Sequence, residues 1–309
     1  MIRRRTMCIE QSIVPKATFR KVAFGKRAKV TIGIVIIVAM RFISPAFAER
    51  TELGFADSLY KAGDYSGAVL AYKRALYYAP DAVVTEKTKL GLAKAYFSNK
   101  QYTDAETLLN DLVEHGKLHK KDAQWLLAAQ YYQQKNYDFA AIEFKDYSDT
   151  YKDDTALYLS GWSFLKNYQY DKAALAFGSF KDRTSSAYQA AALQLQDKAL
   201  SSNGLPQKNV GLAQFFSYII PGSGQLYAEN WSDAGVSFLI NALTISLLSS
   251  AIQNNRTGEA LIWFTLETAW YFGGVYSAGN SATKYNENVK KKQVEVLEQE
   301  YNPDKLLSK

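Results

Sequence analysis

The sequence predicts an all-α protein, in which a solenoid of about four helix pairs and a capping helix is followed by a transmembrane helical hairpin. Two observations predict this fold. A short motif recurs four times between residues 65 and 177, with copies 33 to 37 residues apart, which is the period of stacked helix–turn–helix repeats. Further along, two nearly uncharged apolar segments are joined by a short polar turn, as in a pair of membrane-spanning helices.

Residues 1–48 have the three parts of a secretory signal: a basic region, an apolar core at residues 30–40, and small residues at Ala46 and Ala48 for a signal peptidase. An uncleaved membrane anchor is the alternative, and either one directs the chain to a membrane. This leader has ten basic side chains and one acidic side chain, whereas the remainder has 27 basic and 29 acidic ones. The net charge of +7 therefore comes from the leader and does not indicate a nucleic-acid partner.

The sequence contains no pattern that predicts catalysis. The only cysteine is Cys8, within the leader, which excludes disulfides, a cysteine nucleophile and thiolate metal sites from the mature protein. Gly-x-Ser-x-Gly, Walker and Rossmann patterns are absent. His115 and His119 have metal-ligand spacing without an evident third ligand, which favours a solvated loop. We therefore expect no enzyme, no cofactor and no metal.

Each copy of the repeated motif is a Tyr, an Ala three positions later, and a large apolar residue four positions further on. The copies are Tyr65–Ala68–Tyr72, Tyr102–Ala105–Leu109, Tyr137–Ala140–Phe144 and Tyr170–Ala173–Phe177. A short turn precedes each Tyr, and a small residue lies upstream of it on the preceding helix, at Ala56, Ala93, Ala128 and Gly161. Small side chains on both helices allow a close approach, and the large residue fills the next gap.

This pattern resembles the tetratricopeptide repeat family over about residues 50–200. The first unit matches best, from Leu53 to Pro80. The later units lack the closing Pro and have Leu112, Tyr147 and Phe180 in place of its last small residue, so we expect looser packing there within the same fold.

The family resemblance also implies a binding face. In this family, fixed positions on the first helix of each unit line the concave surface. Those positions, which we call the groove face, are Leu53, Asp57, Tyr60, Lys61, Leu90, Lys94, Phe97, Trp125, Tyr132, Tyr158, Trp162 and Lys166. Outward aromatic side chains of this kind suit a bound protein or peptide segment. The alternative is that these aromatics pack against the capping helix or the membrane domain.

The capping helix is predicted at residues 185–202, an Ala-rich amphipathic stretch that would cover the exposed core of the last repeat. Gly204 and Pro206 end that helix. The predicted organisation is therefore a leader at 1–48, a repeat domain at 49–203, a two-span membrane domain at 204–283 and a charged helical tail at 284–309.

The membrane hairpin is predicted from residues 234–252, which are uncharged, and residues 260–281, which contain one charge, Glu267. Each approaches the roughly 20 residues that cross a bilayer; two buried helices of a soluble domain are the alternative. Pairing about a turn near Arg256 would place Glu267 level with residues 244–246, one turn from Asn241. There its carboxyl either pins the helices together or has a proton- or ion-linked role.

A turn-forming stretch precedes the first apolar segment: Pro221, Gly222, Gly224, Gln225 and Tyr227. It resembles the Pro-Gly-x-Gly-Gln signature of small bacterial two-span membrane domains, over about residues 208–288. The glycines suit a tight turn, and the Gln and Tyr side chains suit a water–lipid boundary. In the second segment, small residues recur every four positions at Gly274, Ala278 and Ala282, a spacing that lets membrane helices associate and allows a homo-oligomer.

These features predict a non-enzymatic bacterial envelope scaffold. A repeat domain in the periplasm would bind a protein segment, and the hairpin would hold it at the inner membrane. The alternative is that the hairpin performs the function, either as a small oligomeric channel or as a membrane-insertion or assembly factor, and that the repeats regulate it. The exported orientation places Lys284 and residues 290–292 outside, against the positive-inside tendency.

Overall fold

The computed structural model describes residues 45–79 and 81–308, and within them the regular elements are helices. The first 44 residues of the predicted leader and Pro80 lie outside the described residues. The helices, in chain order, are α1 (Pro45–Lys61), α2 (Tyr65–Tyr77), α3 (Ala82–Ser98), α4 (Tyr102–His115), α5 (Lys120–Gln133), α6 (Tyr137–Tyr151), α7 (Asp154–Lys166), α8 (Tyr170–Gly178), α9 (Gln189–Ser202), α10 (Val210–Ile219), α11 (Ser223–Tyr227), α12 (Trp231–Gln253), α13 (Thr257–Tyr301) and a final 3-10 helix, Pro303–Ser308.

Helices α1 to α8 form a solenoid of four antiparallel pairs. Each helix packs against the next one, and α9 packs against α8 as the capping helix is predicted to do. The four motif alanines are completely buried: Ala68, Ala105, Ala140 and Ala173. Three of the four small residues on the first helices are also completely buried: Ala56, Ala93 and Ala128. The predicted solenoid and its register are thereby confirmed.

The turn inside each pair has one geometry. The residue two positions before each motif Tyr has a left-handed backbone, with φ of 81°, 61°, 61° and 58° at Gly63, Lys100, Lys135 and Tyr168. The N–H of the next residue donates to the carbonyl five residues earlier, at 2.9 to 3.0 Å, which closes the end of the first helix. Only one of the four is glycine, so the packing of the pair holds the other three in this conformation.

The expected looser packing of the later units is not observed. Leu112, Tyr147 and Phe180 are 1%, 5% and 0% exposed. Their larger side chains fill the core in place of the small residue, and Phe180 lies with its ring edge toward Tyr158, 6.3 Å between centroids.

Beyond the repeats, α12 and α13 pair as a helical hairpin, and α10 packs along α13. By length and apolar composition, α12 is the one helix within the described residues that could cross a membrane. The predicted second span is part of α13, which continues without a break for 45 residues. The predicted boundary at residue 283 is therefore not a break in the helix, and the charged tail extends directly from the hairpin back to the repeats.

The Pro-Gly-x-Gly-Gln stretch joins the three helices of this region. Gly222 has φ +91°, and Gln225, 1% exposed, is buried between α10 and α13. Its Oε1 accepts a hydrogen bond from Ser217 Oγ (2.7 Å), and its Nε2 donates to the carbonyl of Gly274 (2.8 Å). The side-chain amide of Gln225 is therefore fully used in contacts between helices, and its location at a water–lipid boundary stays a prediction.

Replacing Gly224 by Ala is expected to destabilise this junction by about 1–3 kcal/mol or more, since an added Cβ would overlap the Ala213 carbonyl oxygen. The measurement is thermal unfolding of the detergent-solubilised chain by circular dichroism. Gly235→Ala is the matched control: nothing lies within 4 Å of a Cβ there, and Ala is favoured over Gly in a helix interior. Equal melting temperatures for the two variants would contradict the prediction.

Candidate functional site

The groove face divides into an accessible N-terminal half and a C-terminal half that the chain itself covers. In the N-terminal half, Lys61 and Lys94 are exposed, and Phe97 and Trp125 are half-buried. Lys94, Phe97 and Trp125 line a cleft of about 280 Å³, which the terminal Leu307 borders. This cleft is an accessible aromatic surface beside a cation.

Four other residues of this half hold the repeats together. Leu53 and Leu90 pack into the cores, and Tyr60 Oη lies 3.2 Å from Ser98 Oγ. Asp57 accepts a hydrogen bond from the Tyr72 hydroxyl at 2.6 Å. Burial, and then this carboxylate, raise the pKa of Tyr72, so the phenol remains a proton donor to Asp57.

Residues 294–307, which we call the C-terminal segment, cover the other half of the groove face. Val294 and Leu297 are 6% and 2% exposed and belong to the same core as Tyr158 and Trp162. Trp162 is completely buried, with its ring 6.4 Å from the ring of Tyr301. Tyr158, 3% exposed, stacks on Tyr188 at 4.8 Å. The alternative of internal packing therefore describes these two aromatics, which contact both the cap region and the tail.

Lys166 is the polar centre of this covered half. Its side chain is 8% exposed, and its Nζ lies 2.7 Å from Glu298 Oε1 and 3.1 Å from Asp304 Oδ1. The same ammonium group lies 4.6 Å from the centre of the Tyr132 ring. Burial would lower the pKa of Lys166, but Glu298, Tyr137 and Asp304 outweigh it and raise that pKa. Lys166 is therefore a charged, nearly buried cation between two carboxylates.

Tyr132 adds a second contact to Asp304. The Tyr132 hydroxyl donates a hydrogen bond to Asp304 Oδ1 at 3.1 Å. Burial is the main cause that raises the pKa of Tyr132, and Asp304 raises it further, so this hydroxyl donates throughout the ordinary pH range.

The C-terminal segment also covers the capping helix α9. Lys198 Nζ lies 2.5 Å from Glu300 Oε2, and the Tyr301 hydroxyl donates to Gln194 Oε1 at 2.8 Å. This segment thus contacts the capping helix as well as the groove face. This contact was not predicted from the sequence, although Val294, Leu297 and Tyr301 have the helical spacing of one apolar stripe.

The hairpin has its own polar contact. Thr244, 2% exposed, donates through Oγ1 to Glu267 Oε2, which is the predicted pairing. Asn241, one turn away, donates instead to the Ser237 carbonyl at 2.7 Å. This geometry favours the interpretation of Glu267 as a pin between the two helices.

No group of three or more potential metal-ligating side chains occurs within the described residues. His115 and His119 lie instead beside Asp111 and Asp122, at 3.5 and 3.6 Å.

The family model of the tetratricopeptide repeat matches residues 59–119, about a fifth of the chain. Among solved structures, the chain is similar to a tetratricopeptide repeat protein from Parabacteroides merdae ATCC 43184, with 14% identity and a TM-score of 0.42, covering 81% of this chain and 98% of that one. No curated protein matches. These comparisons do not confirm the predicted resemblance of residues 208–288 to the Pro-Gly-x-Gly-Gln membrane domains. What is supported is the tetratricopeptide repeat resemblance, by the family model at residues 59–119.

Proposed function

We propose that the protein is a non-enzymatic scaffold that binds a protein segment on the groove face and is held at a membrane by its helical hairpin. Tetratricopeptide arrays are in general non-catalytic interaction folds with extended binding surfaces. The observation that carries the proposal is the occupied half of the groove face. There the array already holds a folded segment through apolar, aromatic and ionic contacts, which are the contacts of a peptide-binding site.

The membrane part of the proposal is supported by the outer surface of the hairpin. Only 17% of the most apolar 18-residue window of α12 is buried within the protein, whereas a core helix of a soluble domain would be mostly buried. Large apolar side chains more than half exposed occur on both helices, at Val236, Phe238, Leu239, Leu243, Ile252, Leu261, Ile262, Phe264 and Phe272. A contiguous surface of this kind suits lipid better than water.

We further propose the bacterial inner membrane as the location, with the array on the periplasmic side. The leader supports it, because an early signal commonly sets orientation. Since α13 is continuous from the hairpin to the array, both ends of the hairpin lie on the side of the array, and the turn at Asn254 and Asn255 lies on the other. Reporter fusions after Asn203 and at Asn255 test this topology. A cytoplasmic signal after Asn203 would overturn the exported orientation.

Partner binding is tested by placing a photo-crosslinking amino acid at Phe97, in the accessible cleft. The matched control position is Leu175 on α8, which is 75% exposed and lies outside the groove face. The expected result in intact cells is a discrete crosslinked species from position 97 and none from position 175. The same yield of crosslinks at both positions, or none at either, would contradict binding at the groove face.

The alternative function, an oligomeric hairpin that acts as a channel or assembly factor, is favoured by one observation. Within the described chain, Asn241 Oδ1 and Ser237 Oγ are buried without a hydrogen-bond partner. Both residues line a cleft of about 350 Å³ between α12 and α13. Unsatisfied polar groups in an apolar layer can be satisfied by another helix, such as one from a second copy. Under this alternative, Glu267→Gln would impair function more than any change at the groove face.

A further inference from the structure

We propose that the C-terminal segment is a displaceable ligand of its own groove face, and that the partner of this face is an acidic amphipathic helical segment that replaces it. This inference rests on the proposed function and specifies its partner. It accounts for a groove face that is open at one end and occupied at the other.

The C-terminal segment has the pattern of a helix bound in a groove. Val294, Leu297 and Tyr301 lie on one face of α13 at spacings of three and four residues, the anchor spacing of such ligands. Two of the three are buried against the array, and the third lies against Trp162. Leu306 and Leu307 continue the apolar contact after the turn, where Leu307 reaches the accessible cleft.

The charge of the partner follows from Lys166. With the C-terminal segment in place, its ammonium group is nearly buried and has two carboxylates. A replacing segment that covered Lys166 to the same extent without a carboxylate would leave a desolvated cation without a counterion, which is strongly unfavourable. A segment that replaces the tail must therefore bring a carboxylate to this position, and a neutral or basic helix would not bind.

The contact surface is incompletely filled, which makes replacement feasible. A cleft of about 700 Å³ remains between the array and the C-terminal segment. Lys135, Tyr137 and Tyr168 line its array side, and Lys291 and Glu295 line its tail side. An incoming segment can contact this part of the array before the tail has left.

Displacement would also loosen the array from the hairpin. The C-terminal segment is the last part of the same helix that forms the hairpin. After its release, the array stays joined to the hairpin by the segment between α9 and α10. Reciprocal hydrogen bonds of the Lys208 backbone with Asn286, at 2.7 and 3.0 Å, hold this segment, and Gln293 contacts Ser202 of α9 at 3.5 Å. Partner binding would therefore change how the array is held above the membrane.

The test uses the detergent-solubilised full chain and a fluorescent peptide of the C-terminal segment, residues 294–307, which has four acidic side chains and one lysine. In the variant with Glu298→Lys and Asp304→Lys, which we call the released chain, Lys166 repels the tail. The released chain is expected to bind the peptide at least tenfold more tightly than the wild-type chain. The matched control is Glu114→Lys with Asp182→Lys, the same charge change at exposed positions outside the groove face and the C-terminal segment, which should leave peptide binding at the wild-type level. Binding by the released chain no tighter than by the control would overturn the proposal.

A charge exchange tests the specificity. In the otherwise wild-type chain, Lys166→Glu also repels the tail, because the new carboxylate faces Glu298 and Asp304. This variant should not bind the wild-type peptide, and a peptide with both changes, Glu298→Lys and Asp304→Lys, should bind instead. Equal binding of both peptides would show non-specific attraction and overturn the proposal.

A measurement on the wild-type chain covers the case in which a variant fails to fold. Saturating peptide is expected to remove hydrogen-exchange protection from amides 294–301 of the chain while those of α5 and α6 keep theirs. Unchanged protection would overturn the displacement. If these results fail but crosslinks at position 97 form, the identity of the partner is wrong and the proposed function stands.

Discussion

Replacing Trp162 by Ala is expected to destabilise the repeat array by about 3–5 kcal/mol, the cost of truncating a buried aromatic in a packed core. Trp162 is completely buried, and its ring lies 6.4 Å from those of Tyr158, Phe177 and Tyr301. The indole therefore links α7, α8 and the C-terminal segment. The measurement is the denaturant midpoint of the array, followed by its circular dichroism in detergent.

The control for this prediction is Tyr77→Ala, because Tyr77 is 83% exposed at the end of α2 and contacts Tyr78 by its ring edge. Its expected effect is within about 0.5 kcal/mol of wild type. A similar midpoint for Trp162→Ala and the control would contradict the packing described here. It would instead indicate that Trp162 is available to a partner, as the family resemblance implies.

Replacing Leu243 by Arg is expected to prevent stable membrane insertion of the hairpin. Leu243 lies at the middle of α12 and is 60% exposed on its outer surface. An arginine at the centre of a membrane helix costs about 3 kcal/mol on insertion scales. In water the same change on an exposed surface would be nearly neutral. A hairpin in lipid and a hairpin in water therefore predict different results. The measurement is the fraction of the chain that resists alkaline extraction from membranes.

The control is Leu200→Arg, on α9 of the array, where the leucine is 50% exposed. This change adds the same charge at similar exposure and should leave the extracted fraction unchanged. If the two variants are extracted equally, or if the wild-type chain remains monodisperse without detergent, the hairpin is not in lipid and the anchoring proposal fails.

Much of the array was predictable because its signals are local. Ala68 and its three counterparts are small where two adjacent helices meet, and each turn lies two residues before a Tyr. Both features depend on residues within one repeat, so their spacing in the sequence determines their position. The pairing of Glu267 with Thr244 was predictable for the same reason, since a short turn determines the register of a hairpin.

The occupation of the groove face was not predictable in this way. Lys166 appeared as one of several cations on an outward surface, and nothing adjacent to it in sequence indicates that it is nearly buried. Glu298 and Asp304 appeared within the predicted charged helical tail. Only the apolar stripe of Val294, Leu297 and Tyr301 indicated that this tail has a buried side.

The sequence by itself determined the all-helical class, the register of the repeats and the helical hairpin, because each depends on periodic contacts between neighbouring elements. Only the tertiary structure decided what covers the groove face. The contacts of Asp304 with Tyr132 and Lys166 join residues 172 and 138 positions apart. No local periodicity specifies a contact at that separation, since it exists only after the repeats have stacked and α13 has returned from the hairpin to reach them.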